Sequence, residues 1–349
     1  MVSLTYDADE QSLLDEARRQ AAGILPWDRL KDSRETADAW AKFAAHGWQA
    51  VYLPEGLDGG ALSLPVLLGL ARVAGERLAV EEFVGNVFLM PTLASRLKDP
   101  AARARVLAAD PGTSFLLADG RTQDPTAPEP DADCRWVCGV LEGARPVRVV
   151  PSTDALTFQM WAPDAYTYEP LGDVALGVGT VHVTGAPDDA LELDLTIEEL
   201  RGLLRTAQLV HAAALVGAAA EALRVSVEYV SVREQFGRRI GEFQAVKHIL
   251  ADVATHNEAA WATCLYAGCS EAPADIAAAH ILAADAVRGA SAAMVQVHGG
   301  MGFTWEHPSH LFLKTAMVGA RRFDPDRQLA DARELDVTSE VTVAAQEGR

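Results

Sequence analysis

Cysteine is scarce, with four residues in a chain of 349. Cys134 and Cys138, like Cys264 and Cys269, do not form CxxC pairs. That argues against a zinc knuckle and against a disulfide framework, and leaves them as small buried apolar residues. Positive charge is in deficit: 30 Lys and Arg stand against 49 Asp and Glu, a net charge of −19. No basic stripe displaces counterions from nucleic acid, and an anionic membrane surface repels such a chain. The acidity suits a large soluble surface. The N-terminal MVSLTYDADEQ has no apolar core of a secretory leader. No apolar run reads as long and charge-free enough to span a bilayer. The expectation is a cytoplasmic protein with neither a nucleic-acid nor a membrane partner and with no metal. No short repeat is present, which argues against a solenoid.

What is there is an ordinary globular composition, 49% hydrophobic and 23% charged, on a chain too long for one core. Residues 1–112 read as helices. Leu13, Leu14, Ala17 and Ala21 form one apolar stripe, and Trp40, Phe43, Ala44 and Trp48 a second. The glycines of PEGLDGG mark a loop, after which Ser63 is placed to cap a helix over 64–76. Further helices are expected near 81–97 and 99–109. Residues 113–194 change character to short β-prone runs (114–118, 137–141, 147–150, 155–160, 179–183) broken by Pro, Gly and Asp, a small β domain. Residues 195–349 are helical again, with 211–230 apolar nearly all round and so a buried bundle helix. Two more bundle helices are expected over 243–269 and 272–298, and a fourth from Pro308 to about Arg322, before a frayed tail.

Two stretches interrupt the bundle. Arg233 to His248 (REQFGRRIGEFQAVKH) sets a fixed cation beside an aromatic ring and a glycine. Gln296 to Pro308 (QVHGGMGFTWEHP) sets an amide beside two glycines. Singly, each has an ordinary reading: a helix-end arginine, a core phenylalanine, a C-cap turn.

In order and at this spacing the motifs resemble the acyl-CoA dehydrogenase family. PEGLDGGALSL is similar to that family's PExxGGxGxS loop. VREQFGRRIGEFQAVKHILADV resembles its RxxFGxxIxxFQxxxxxLADM signature, and QVHGGMGFTWEHP its QxxGGxGxxxExP signature. The resemblance covers nearly the whole chain and implies an α+β multidomain fold: an N-terminal α-helical domain, a middle β domain and a C-terminal four-helix bundle. It implies FAD bound across a subunit interface. Arg233, Gln235, Phe236, Gln296, Gly299 and Gly300 would then reach a neighbour's cofactor. Arg233 supplies a permanent forked cation to the pyrophosphate. Phe236 packs on a flat ring, Gln296 meets polar edges, and the glycines admit the dinucleotide backbone. The implied reaction is removal of the α-proton of an acyl-CoA by a carboxylate while a β-hydride passes to the flavin.

The β region departs from that pattern. FLLADGRTQDP stands where TExxxGSD is expected, and WVCGVLEGARPVRVV, with Pro146 inside it, replaces the strand that backs the flavin. The usual base position falls on Phe323 and the alternative one near Ala207, neither of which takes a proton. Asp324 is adjacent to the first, although its surroundings read as a helix end. Glu306 reads as a loop acceptor. The motifs donated to a neighbour are intact while the receiving half is degraded. The resemblance therefore extends to the base-lacking chain of actinobacterial α2β2 dehydrogenases of sterol side-chain breakdown. It implies a catalytic partner subunit, an acyl-CoA bound mainly by that partner and an electron-transfer acceptor. A homotetramer using Asp324 as base and a redox-inactive acyl-CoA-binding or scaffold protein are the rival readings.

Overall fold

A computed structural model describes residues 5–27, 30, 35–108, 114–116, 133–137, 145–151, 155–162, 164–170 and 179–323. Helix α1 (Ala8–Ile24) starts at a capping box in which Asp7 and Glu10 satisfy each other's backbone N–H groups. α2 (Glu35–Ala45) follows. Trp40, Phe43 and Trp48 are buried, with Phe43 and Trp48 packed edge to face at 4.8 Å. The glycine loop folds back on residues 50–53: Ala61 N–H donates to the Leu53 carbonyl and Leu62 N–H to that of Val51. A Cβ on Gly59 would stand 2.0 Å from the Leu53 carbonyl oxygen, so glycine is required there by close approach.

α3 (Leu64–Gly75) begins after Ser63, whose side chain makes no capping bond. Where one helix over 81–97 is expected, α4 (Val80–Phe83) runs through a π-helical segment, Val84–Leu89, into α5 (Met90–Ser95). Such wide turns are uncommon inside helices and concentrate at functional places. α6 (Pro100–Ala108) opens on proline, as expected.

Among the described residues, seven strands follow in two sheets. β1 (Ser114–Leu116), β3 (Arg145–Pro151), β4 (Leu156–Met160) and β7 (Asp189–Leu193) form the first, with β1 parallel to β3 and the other pairs antiparallel. β2 (Asp133–Val137), β6 (Gly179–Val183) and β5 (Tyr166–Pro170) form the second. The stretch 136–150 is therefore not one strand: its ends belong to different sheets, and residues 138–144 lie outside the described ones. The run expected over 137–141 contributes only Val137 to β2. Strands β5 and β7 had no counterpart in the sequence reading, because Thr, Glu and Asp dilute their apolar alternation.

The bundle starts with α7 (Ile197–Val232), opened by a Thr196–Glu199 capping box. α8 (Gln244–Ser270), α9 (Pro273–His298) and α10 (Ser309–Gly319) complete it. By length and composition α7 could cross a membrane, contrary to the sequence expectation. Yet 72% of its apolar window is buried inside the protein, because its alanine-rich surface lets α3, α8 and α9 pack around it. One hydrophobic core runs through Leu67 and Phe83 of the N-terminal helices and Leu209, Ala213 and Phe312 of the bundle. A smaller cluster, Leu93, Leu97, Phe158 and Leu193, joins the four-stranded sheet to α5. Cys264 is buried in this core, where desolvation pushes its thiol up to about 12.

Candidate functional site

Arg233 ends α7 in an extended conformation, and its carbonyl accepts from Ile240 N–H at 2.8 Å. The chain then makes a minimal hairpin from β8 (Glu234–Gln235) and β9 (Arg238–Arg239). The two turn residues are Phe236 (φ 54°) and Gly237 (φ 78°). Positive φ at both positions is the type I′ hairpin geometry, which glycine and asparagine adopt readily. A phenylalanine there costs roughly 1–2 kcal/mol. No burial offsets that cost, for the Phe236 ring is 92% exposed and meets Phe243 edge-on at 6.2 Å. Arg238 in turn lies 3.9 Å over the Phe243 ring. Arg233, Gln235, Arg238 and Arg239 are all exposed. The sequence thus maintains a strained aromatic fingertip among three cations at the surface, the kind of local strain that marks functional positions.

The second motif lies at the same end of the bundle. The Tyr229 ring, one turn before the hairpin, stacks on His298 at 4.2 Å, which brings residues 69 positions apart in sequence together. His298 is buried; its Nδ1 lies 2.7 Å from the Met294 carbonyl and donates to it, leaving Nε2 as an acceptor. Desolvation lowers its pKa. Gln296 is exposed on the last turn of α9, and Gly299 (φ 61°) terminates that helix. A Cβ at Gly299 or Gly300 would meet nothing within 4 Å, so these glycines serve no contact among the described residues. The turn Gly299–Phe303 then presents Phe303 and Trp305 to solvent.

These observations bear on FAD directly. An open backbone at Gly299 and Gly300, an exposed amide, a forked cation and an exposed ring suit a dinucleotide brought by another molecule. Together they would make one open wall of such a site rather than a closed pocket.

The positions expected to hold a base are elsewhere and sealed. Phe323 is 2% exposed with φ 68°, and Ala207 is fully buried. α10 ends at Gly319, earlier than expected, and residues 320–323 form a turn that carries Phe323 inward. Asp324 lies outside the described residues. Glu306 is exposed near the second motif.

A polar cluster beneath Phe323 was missed in the sequence. His211, one turn beyond Ala207, has its Nδ1 3.0 Å from His280 Nε2 and its Nε2 3.0 Å from a Glu81 oxygen. Arg322 Nε lies 3.4 Å from the other Glu81 oxygen. Burial alone would raise the Glu81 pKa, but Arg322 and His211 outweigh it and hold the carboxyl at about 2. Glu82, next to it, is pushed up to about 7, chiefly by burial. The available signal was a single histidine in each of two otherwise apolar stretches, HAAALVGAAA and IAAAHILAA.

Residues 200–321 match the family described as "Acyl-CoA dehydrogenase, C-terminal domain". The chain is 30% identical over 331 residues to the acyl-CoA dehydrogenase FadE34 of Mycobacterium tuberculosis, across 88% of this chain and 45% of that protein. It spans 43–46% of the length of the curated relatives first matched. Its fold matches the ChsE4–ChsE5 complex of M. tuberculosis with a TM-score of 0.77, at 21% identity and covering 96% of this chain and 99% of that one. It also matches a Tcur3481–Tcur3483 steroid ACAD variant with a TM-score of 0.77 and 21% identity, over 95% and 99% of the two chains. Residues 200–321 thus match the acyl-CoA dehydrogenase family by sequence, and nearly the whole chain has the fold of that FAD-dependent family.

Proposed function

We propose that this chain is the non-catalytic subunit of an FAD-dependent acyl-CoA dehydrogenase assembly, and that it completes the cofactor site of a catalytic partner in an α2β2 arrangement. The observation that carries the reading is an asymmetry. The groups that would reach a neighbour's FAD, Arg233, Phe236, Gln296 and Gly299–Gly300, are exposed at one end of the bundle. The base positions hold a buried phenylalanine and a buried alanine. When bound, FAD supplies the hydride acceptor for α,β-dehydrogenation. In this reading the chain's own residues bind and orient it: Arg233 neutralises pyrophosphate charge, and Phe236 covers an apolar face of the cofactor. The partner supplies the base and most of the acyl-CoA site, and reduced flavin passes its electrons to a separate acceptor.

Both structural matches above are named as pairs, ChsE4–ChsE5 and Tcur3481–Tcur3483, and one is a steroid ACAD. A steroid-CoA or similarly bulky acyl-CoA is therefore the substrate class proposed. The test is visible absorption of this chain purified alone and after co-expression with a family member that retains the base. A colourless chain alone and about one flavin per pair of unlike chains are expected. Arg233→Ala should lower flavin content at unchanged assembly yield. A yellow chain on its own, or unchanged flavin in the variant, would overturn the reading.

A further inference from the structure

The chain Arg322–Glu81–His211–His280 joins four parts of the fold: the turn after α10, α4, α7 and α9. One assignment of hydrogens satisfies it with both imidazoles neutral. The Glu81 carboxylate accepts, so His211 Nε2 donates to it. With His211 neutral, His211 Nδ1 accepts from His280 Nε2–H. His280 Nδ1 is left as a bare acceptor, fully buried and with no hydrogen-bond partner among the described residues. The two imidazoles stack at 5.1 Å, and Phe323 packs on both, at 5.3 and 5.8 Å. Arg322 and Phe323, neighbours in one turn, are thus held by the two ends of a single polar chain.

We propose that this chain is an acid-sensitive latch, which pins residues 320–323 against α7 and α9 and lets Phe323 leave the core when the imidazole pair takes up a proton. A proton entering at His280 Nδ1 puts a positive charge between two stacked rings and under an aromatic ring, with Arg322 already nearby. The Glu81 carboxylate is then shared by two cations, and the cheapest relief is for the Arg322–Phe323 turn to swing out to water. Phe323 holds a left-handed conformation at φ 68°, so its release also removes backbone strain.

The other charged groups around the pair are accounted for. Glu82 of α4 is half-buried beside Glu81 and keeps its proton up to about pH 7. On α7, Arg205 pairs with Glu198, and Glu221 with Arg77 and Arg224. Lys247, His248, Asp252, His256 and Glu258 of α8 lie on its exposed face. On α10, His310 and Lys314 pack on Trp305. On α9, Asp275 accepts from Ser270 and Asp285 pairs with Arg288. Desolvation, and then the neighbouring His211, pushes the His280 pKa well below its ordinary value, so the latch stays shut at neutral pH.

The experiment places 4-fluorophenylalanine at position 323 of the full chain and follows its 19F signal from about pH 8 to about pH 5, with circular dichroism in parallel. A buried signal should convert to a solvent-like one in acid while helicity persists. His280→Gln keeps a donor toward His211 but does not titrate, so its Phe323 signal should stay buried throughout. Glu81→Gln should show the released signal at every pH. No conversion in the wild type, conversion only together with global loss of helicity, or a conversion that survives in His280→Gln would each overturn the latch.

Discussion

Phe236→Asn separates a binding role from a structural one. The residue occupies the first position of a two-residue turn at φ 54°, followed by Gly237 at φ 78°. Asn-Gly is the favoured sequence for that turn, so the substitution recovers about 1 kcal/mol of backbone strain. Against this stands the loss of one edge-on contact with Phe243, worth about 0.5 kcal/mol for so exposed a ring. No buried area is lost, since the ring is 92% exposed. The net change in the isolated chain should fall within about 1 kcal/mol of wild type, a melting shift of a degree or two. A core phenylalanine would cost about 3–5 kcal/mol when truncated to alanine. In the co-expressed assembly the variant should retain markedly less flavin, measured as visible absorbance per protein after gel filtration. Full flavin retention would refute the role given to Phe236. A loss of more than about 2 kcal/mol in the chain alone would refute the geometry of the turn.

Gly217→Ala would put a Cβ 1.9 Å from the Arg72 carbonyl oxygen. The α3–α7 packing has to open, and urea titration should show a loss near the upper end of overpacking costs, about 3 kcal/mol. Glu82 has a folded pKa raised to about 7. Its contribution is present in full below the unfolded carboxylate pKa and is lost as pH rises through about 7. Glu82→Gln should therefore raise the melting temperature at about pH 8, by up to about 3 kcal/mol of stability, and give no such gain near pH 5. His280 has the opposite sign: its lowered pKa means that stability present above the ordinary histidine range is lost as pH falls below it. The acid limb of a stability–pH profile should flatten in His280→Gln.

Much of this was legible in the amino-acid order. Helix positions in the bundle follow from apolar periodicity and from Pro273, Gly299 and Pro308 at the breaks. The two candidate cofactor motifs were visible because fixed spacing between a cation, a ring and glycines is a local property. That Phe323 and Ala207, at the two expected base positions, have no proton to exchange was also visible. The sheets were less so. Their strands are short, half polar and paired across distant segments, and the stretch 136–150 read as continuous while its two ends entered different sheets.

What only the tertiary structure decided is where these residues face. The sequence could not say that Phe236 stands in water in a strained turn while Phe323, in a similar left-handed conformation, lies in the core. That depends on whether another element covers the turn, and α4, α7 and α9 cover only the second. Nor could it pair Glu81 with His211, 130 positions away, or His211 with His280. A lone polar residue in an apolar helix carries no label for its partner. Side-chain chemistry and spacing set which ligand the surface motifs suit; long-range packing set which groups were left exposed to meet it and which were sealed in a buried chain of charge.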